Sequence, residues 1–314
     1  MSLRRQAVPA LAAVPDSAAY RQGVLLVVLA TCFFSLSGVL VRLTEAAGSW
    51  QIIFYRSLAL TGTMLALLAI HYRHRLVAAI REAGWDALLA GAASSGTLVL
   101  FILSLETITV ANALFMSGIA PFVTALLGRM FLKEPIPVIT WVAMIMAMAG
   151  ILVMVEGAVS FDRLVGNLLA LGSAICFALM SFFLRRGRQG DMLPASLASG
   201  VISSLLALVV LLGSAGGIGA SFAVTGRDLA LCVTMGVVQL GLGMVCYTRG
   251  ARHMPAAQLQ LVAMAELALS PLWVWLVVAE VPPPAVLLGG MLILAATFVQ
   301  AIAGSWSRQP AGTG

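Results

Sequence analysis

The chain has 314 residues, 61% hydrophobic and only 10% charged, with a formal net charge of +6. A soluble domain carries about a quarter charged residues, so this composition excludes an ordinary globular protein and marks an integral membrane protein. The positive balance does not signal a nucleic-acid partner, because the arginines lie between apolar runs, where membrane topology accounts for them.

The first residues, 1–21, carry Pro9, Pro15 and Asp16, which break any signal-peptide core, so a cytoplasmic N-terminal tail is expected. Ten apolar runs follow, near 22–43, 51–70, 87–105, 109–127, 138–155, 164–184, 194–213, 228–247, 255–278 and 284–304. Each is long enough for a bilayer core of roughly 30 Å, and the runs are continuous rather than alternating, which excludes a β-barrel. The predicted fold is all-α, with ten transmembrane helices, short connections and a C-terminal tail at 305–314. Cys32, Cys176, Cys232 and Cys246 fall inside apolar runs without metal spacing and read as small hydrophobes.

Basic residues orient the spans. Arg4, Arg5, Arg21, Arg73, Arg75, Arg81, Arg129, Lys133, Arg185, Arg186, Arg188, Arg249, Arg252 and Arg308 fall on one side, 14 of the 18; Arg42, Arg56, Arg163 and Arg227 do not. The positive-inside rule then puts both termini in the cytoplasm of a bacterial-type inner membrane.

The chain repeats itself. Residues 111–136 align with 257–282 at an offset of 146, placing Asn112 on Gln258, Ala120 on Glu266 and Glu134 on Glu280. The first and sixth runs align at 143, placing Phe34 on Phe177 and Arg42 on Arg185. Five spans per half is an odd number, so the halves, 22–155 and 164–304, must be inverted relative to each other, with the functional site between them.

With these residues in view the chain resembles the drug/metabolite transporter superfamily, in its EamA-like branch. The resemblance rests on Phe101, Ser104-Leu105, Ala111, Pro121, Glu134-Pro135 and Gly150 in the first half. In the second half it rests on Tyr247, Gly250-Ala251, Ala257, Glu266 and Glu280; Arg56 also fits the pattern. The overall look is similar to the YddG-type amino-acid exporters. The resemblance implies a central cavity lined by spans one, three, four, six, eight and nine, and export by alternating access. One departure is that Glu266 is followed by Leu267, with the proline four residues on at Pro271, so the kink is expected one turn later.

Glu266 is the only carboxylate deep within a span, where an acidic group costs a few kcal/mol on insertion scales. It is expected to bind a substrate ammonium or to carry a coupling proton; a structural, hydrogen-bonded carboxyl is the plain alternative. Gln258, Val262 and Glu266 are spaced by four, as are Asn112, Met116 and Ala120, so each set shares a helix face and the two faces are expected to meet at one cavity. Gln239 joins from span eight, on a stripe with Met235, Leu242 and Cys246. Arg56, about 9 Å into span two, is a candidate for a substrate carboxylate or for snorkelling to the interface. Ser35 and Ser95 are weaker candidates, since small polar residues also serve tight crossings, as do Gly91/Ser95 and Ala143/Ala147. Trp50, Trp85, Trp141 and Trp306 read as interface anchors, and Trp273 and Trp275 as lipid-facing.

Nothing points to catalysis, a metal or a cofactor: His71, His74 and His253 sit at loops or span ends, apart from any carboxylate cluster. The predicted function is export of small metabolites, amino acids first and with broad specificity. A drug or other metabolite exporter of the same fold is the alternative; an intramembrane enzyme or a channel fits less well.

Overall fold

The computed structural model describes residues 17–155, 163–213, 221–279 and 281–306. Glu280, and most of both expected tails including Arg308, lie outside the described residues. The described residues are helical or loop. The helices are α1 (Ser17–Phe34), α2 (Ser37–Arg42), α3 (Ser49–Tyr72), α4 (Leu76–Glu82), α5 (Gly84–Leu105), α6 (Val110–Ser117), α7 (Ala120–Phe131) and α8 (Val138–Val155). They continue with α9 (Leu164–Arg186), α10 (Leu193–Gly213), α11 (Gly226–Thr234), α12 (Gly243–Ala251), α13 (Ala256–Ala263), α14 (Ala265–Val278) and α15 (Pro284–Trp306). A π-helical stretch, Met235–Leu242, joins α11 to α12.

Nine helices or helix runs among the described residues are long and apolar enough to cross a membrane, and Phe115–Phe131 is a shorter apolar one. A helix satisfies its own backbone, which is what a hydrocarbon environment demands. Leucine and isoleucine cover the outside, as at Leu25, Ile70 and Leu276, each at least 70% exposed, while alanine, glycine and serine fill the contacts between helices. This inversion of soluble packing follows from lipid being as apolar as leucine, so that helices associate by close approach.

The main packing is pairwise: α5 on α9, α1 on α12, α3 on α10, α7 on α13 and α8 on α15. The α5–α10 seam uses Ser94 with Ser199 and Ser95 with Ser203, each pair of hydroxyls 2.9 Å apart. Gly91 lies one turn earlier, where an added Cβ would sit 2.6 Å from Ala195 O. On the α8–α15 seam, Gly150 faces Gly289 backbone to backbone, and a Cβ on Gly150 would sit 2.7 Å from Gly289 O. Gly150→Ala is therefore expected to overpack this crossing and destabilise the protein by about 1–3 kcal/mol, read as a lowered unfolding midpoint in detergent. An unchanged midpoint would show that the two helices separate freely.

Three expected spans are discontinuous. α1 stops at Phe34 and α2 restarts at Ser37. The expected span at 109–127 divides into α6 and α7: Gly118 and Ile119 close tight turns by i→i+3 bonds to Phe115 and Met116, and Pro121 has no N–H to continue the ladder. The expected span at 255–278 divides into α13 and α14 at Met264, where Leu267 N–H donates to Met264 O. This corrects the expected kink site, because α14 runs unbroken through Pro271.

Candidate functional site

The break at Met264 decides where Glu266 lies. Glu266 is in the first turn of α14, where the helix dipole favours a negative charge. It is half-buried, and no hydrogen bond or ion pair holds it among the described residues. Counted along the two half-helices it is ten residues from Ala256, close to the middle of the Ala256–Val278 run. Tyr247 lies within electrostatic range of it.

Arg56 is the opposite charge at depth. It is the eighth residue of α3, about 10 Å along the helix from Ser49, and is 4% exposed. Its Nη2 makes one long bond to Leu98 O, 3.4 Å, and its Nε has no partner among the described residues. Snorkelling is therefore not what Arg56 does: its side chain is buried within the bundle, with Leu98 of α5 beside its head. Gly236 lets the π-helical stretch pack directly on the α3 backbone at Arg56, leaving no room there for a side chain.

The other candidates disperse. Asn112 Nδ2 donates to Asn167 Oδ1, 3.3 Å, tying α6 to α9, and Met116 packs beside it against Ile108, Ala113 and Ala170. Gln258 turns elsewhere, to a space of about 10 Å³ shared with Thr140, Ala125 and Gly128. Gln258 Oε1 and Thr140 Oγ1 are both buried there and have no partner among the described residues, in a volume suited to one water. Asn112 and Gln258 do not meet at one cavity as their equivalence predicted. Each stripe also crosses a discontinuity, and a stripe spaced by four holds only along an unbroken helix, so Ala120 and Glu266 leave the lines of Asn112 and Gln258. The π-helical register does the same to Gln239, which is buried with Met235, whereas Leu242 of the same expected stripe is 40% exposed.

Ser95 is spent on the α5–α10 seam rather than on a cavity wall. Ser35 sits in the α1–α2 break and accepts a hydrogen bond from Trp273 Nε1, 2.8 Å. That contact overturns the lipid-facing expectation for Trp273; Trp275 is 43% exposed.

A buried polar cluster escaped the sequence reading. Ser181 Oγ donates to Gln260 Oε1, 2.5 Å, and Tyr247 OH lies 2.8 Å from Ser181 and 3.3 Å from Gln260. It joins α9, α12 and α13. Gln260 lies two residues, about 200° of helix, from Gln258, so attention to the Gln258 face pointed away from it.

Arg185 and Glu134 close one end of the bundle. Arg185 Nε donates to Glu134 Oε1, 2.7 Å, and Nη1 donates to Ala251 O and Arg252 O at the end of α12. Glu134 Oε2 in turn accepts from Ala256 N–H, 3.0 Å, at the start of α13. Each charge thus sits at the helix terminus of opposite polarity. Tyr72 with Asp191, Arg252 with Asp191 and Arg186 with Asp86 lie at the same end. Burial, with Arg252 and Arg185 nearby, holds the His253 imidazole below its usual range. At the other end, Asp228 accepts from the N–H groups of Glu45, Ala46 and Ala47, and its own N–H is capped by Thr225. The Thr225-to-Asp228 spacing was a readable capping signal. Among the described residues no three His, Cys, Asp or Glu side chains cluster as metal ligands would.

A profile of the EamA-like transporter family matches the chain twice, over residues 21–156 and 164–301. The chain belongs to the EamA-like transporter family. It is a multi-pass membrane transporter, not an enzyme. The pseudopaline exporter of Pseudomonas aeruginosa is 29% identical over 283 residues, covering 88% of this chain and 94% of that one. An uncharacterized transporter of Helicobacter pylori is 26% identical over 169 residues, covering 53% and 56%. A solved crystal structure superposes with a TM-score of 0.76 at 16% identity, covering 91% of this chain and 99% of that chain, a likeness of fold.

Proposed function

We propose that this transporter exports amino-acid-class metabolites, apolar and aromatic ones among them, across a bacterial inner membrane by alternating access. In this reading ten spans form two inverted five-span repeats, 22–155 and 164–304, with both termini cytoplasmic. Two features support the repeat. The 146 offset carries Val110–Ser117 onto Ala256–Ala263, so both discontinuous spans break in the same register, and paired broken helices are a hallmark of transport sites. The main packing pairs also survive exchange of the halves: α5 on α9 answers α1 on α12. The orientation is supported by the end that gathers Arg185, Arg186 and Arg252 being the arginine-rich one.

The observation that carries the substrate class is the pair of uncompensated charges. Arg56 and Glu266 are the two charges deep among the spans, and neither has an opposite charge beside it among the described residues. Burying such groups costs free energy that a ligand bearing a carboxylate and an ammonium would recover. Proton loading on Glu266 fits the same placement. The relative named as a pseudopaline exporter supports a second reading, a cargo of that kind.

Purified protein in liposomes, given labelled amino acids, nucleosides, cationic drugs and pseudopaline with and without a pH gradient, tests this. Uptake into the liposomes should be fastest for neutral amino acids. Transport of pseudopaline or a drug with none of any amino acid would overturn the substrate class while leaving the transporter assignment intact.

A further inference from the structure

One cavity is unconnected to the proposed site. It is a groove of about 390 Å³ on the outer wall of the bundle, within the roughly 300–1,000 Å³ of small-molecule sites. Leu67, Ile70 and His71 of α3 form one wall, and Leu242, Val245 and Arg249 form the other, with Leu193 of α10 beside them. Leu67 and Leu242 are each 40% exposed and Ile70 is 76% exposed, on helices long and apolar enough to cross a membrane. The groove thus opens toward the surrounding hydrocarbon rather than toward the interior.

Its polarity is graded. Arg249 lies seven positions beyond Leu242, so the groove runs about 10 Å along the helix from an apolar depth to a basic mouth. The mouth carries His71 and Arg249, both exposed, and Arg73 and Arg75 follow directly on the chain. Among the described residues no carboxylate lines the groove. The nearest on the chain, Asp191, is occupied by Tyr72, by Arg252 and by Leu193 N–H, 3.1 Å.

We propose that this groove holds an acyl chain of one anionic phospholipid, with the lipid phosphate at Arg249 and His71. A guanidinium matches a phosphate in geometry as well as charge. Basic pockets between helices at the membrane surface select acidic headgroups. A second copy of the chain suits the groove less well, since a symmetric contact would bring two like-charged mouths together.

Native mass spectrometry of the full-length protein in detergent tests the proposal, with dioleoyl phosphatidylglycerol, dioleoyl phosphatidylcholine and glycerol 1-phosphate as probes. One phosphatidylglycerol should be retained in preference to phosphatidylcholine, and glycerol 1-phosphate should not bind, because the chain supplies much of the affinity. Attraction of a basic side chain to an anionic lipid is worth about five-fold in affinity, so Arg249→Gln should lower the preference about that much and His71→Gln/Arg249→Gln nearly abolish it. Val245→Trp should fill the groove and remove the bound lipid. Should that variant fail to fold, the exposed Arg249→Gln still decides. Equal retention of both lipids by the wild type, or an undiminished preference in the double variant, would overturn the proposal. So would a wild-type dimer that Val245→Trp dissociates, which would make the groove an interface between copies.

Discussion

Glu266→Gln protein is expected to insert and fold normally but to lose gradient-driven transport. The carboxylate has no partner among the described residues whose loss would unfold the protein, and glutamine keeps its shape. What glutamine lacks is the charge at the start of α14 and the ability to cycle a proton. A purely proton-carrying Glu266 would leave substrate exchange measurable in the variant while accumulation against a gradient disappears. An ammonium-binding Glu266 would instead show weakened binding first, by roughly 1.5–3 kcal/mol, or about 10- to 150-fold. Full wild-type transport by well-expressed Glu266→Gln would remove Glu266 from the site altogether.

The second large effect is expected on stability. Arg185 is 3% exposed and Glu134 17%, and between them they hold the ends of α12 and α13. Arg185→Met leaves Glu134 facing a low-dielectric environment without its cation, which should cost about 3–5 kcal/mol. The double variant Arg185→Met/Glu134→Gln removes the stranded charge and retains an acceptor for Ala256 N–H, so it should recover much of that loss. Unfolding midpoints of the two variants in detergent make the comparison. A single variant as stable as the wild type would mean that the pair contributes nothing to closing this end.

The sequence alone determined the class of the protein, because class depends on composition and run length. Apolar runs of about twenty residues can only be helices in hydrocarbon, whatever they pack against. The family was legible for a similar reason: Glu134-Pro135, Gly150 and Tyr247 are local chain features that can be read without knowing what they pack against. Their structural roles are a cap at Ala256, a crossing with α15 and a buried triad with Ser181 and Gln260.

What only the tertiary structure decided is which side chains meet. The four-residue stripes through Gln258 and Asn112 assumed unbroken helices, and the turns at Met264 and Gly118 rotated the following residues out of line. No proline stands at Met264 to announce that turn. Trp273 looked like one more lipid-facing aromatic until the α1–α2 break placed Ser35 within 2.8 Å of its indole nitrogen. Arg56 could be read as snorkelling until the neighbouring helices enclosed it. Helix identity is set by each segment's own backbone and by the solvent around it. Convergence of charges and amides depends on where helices break and which neighbour covers them, and those are properties of contacts between residues far apart in the chain.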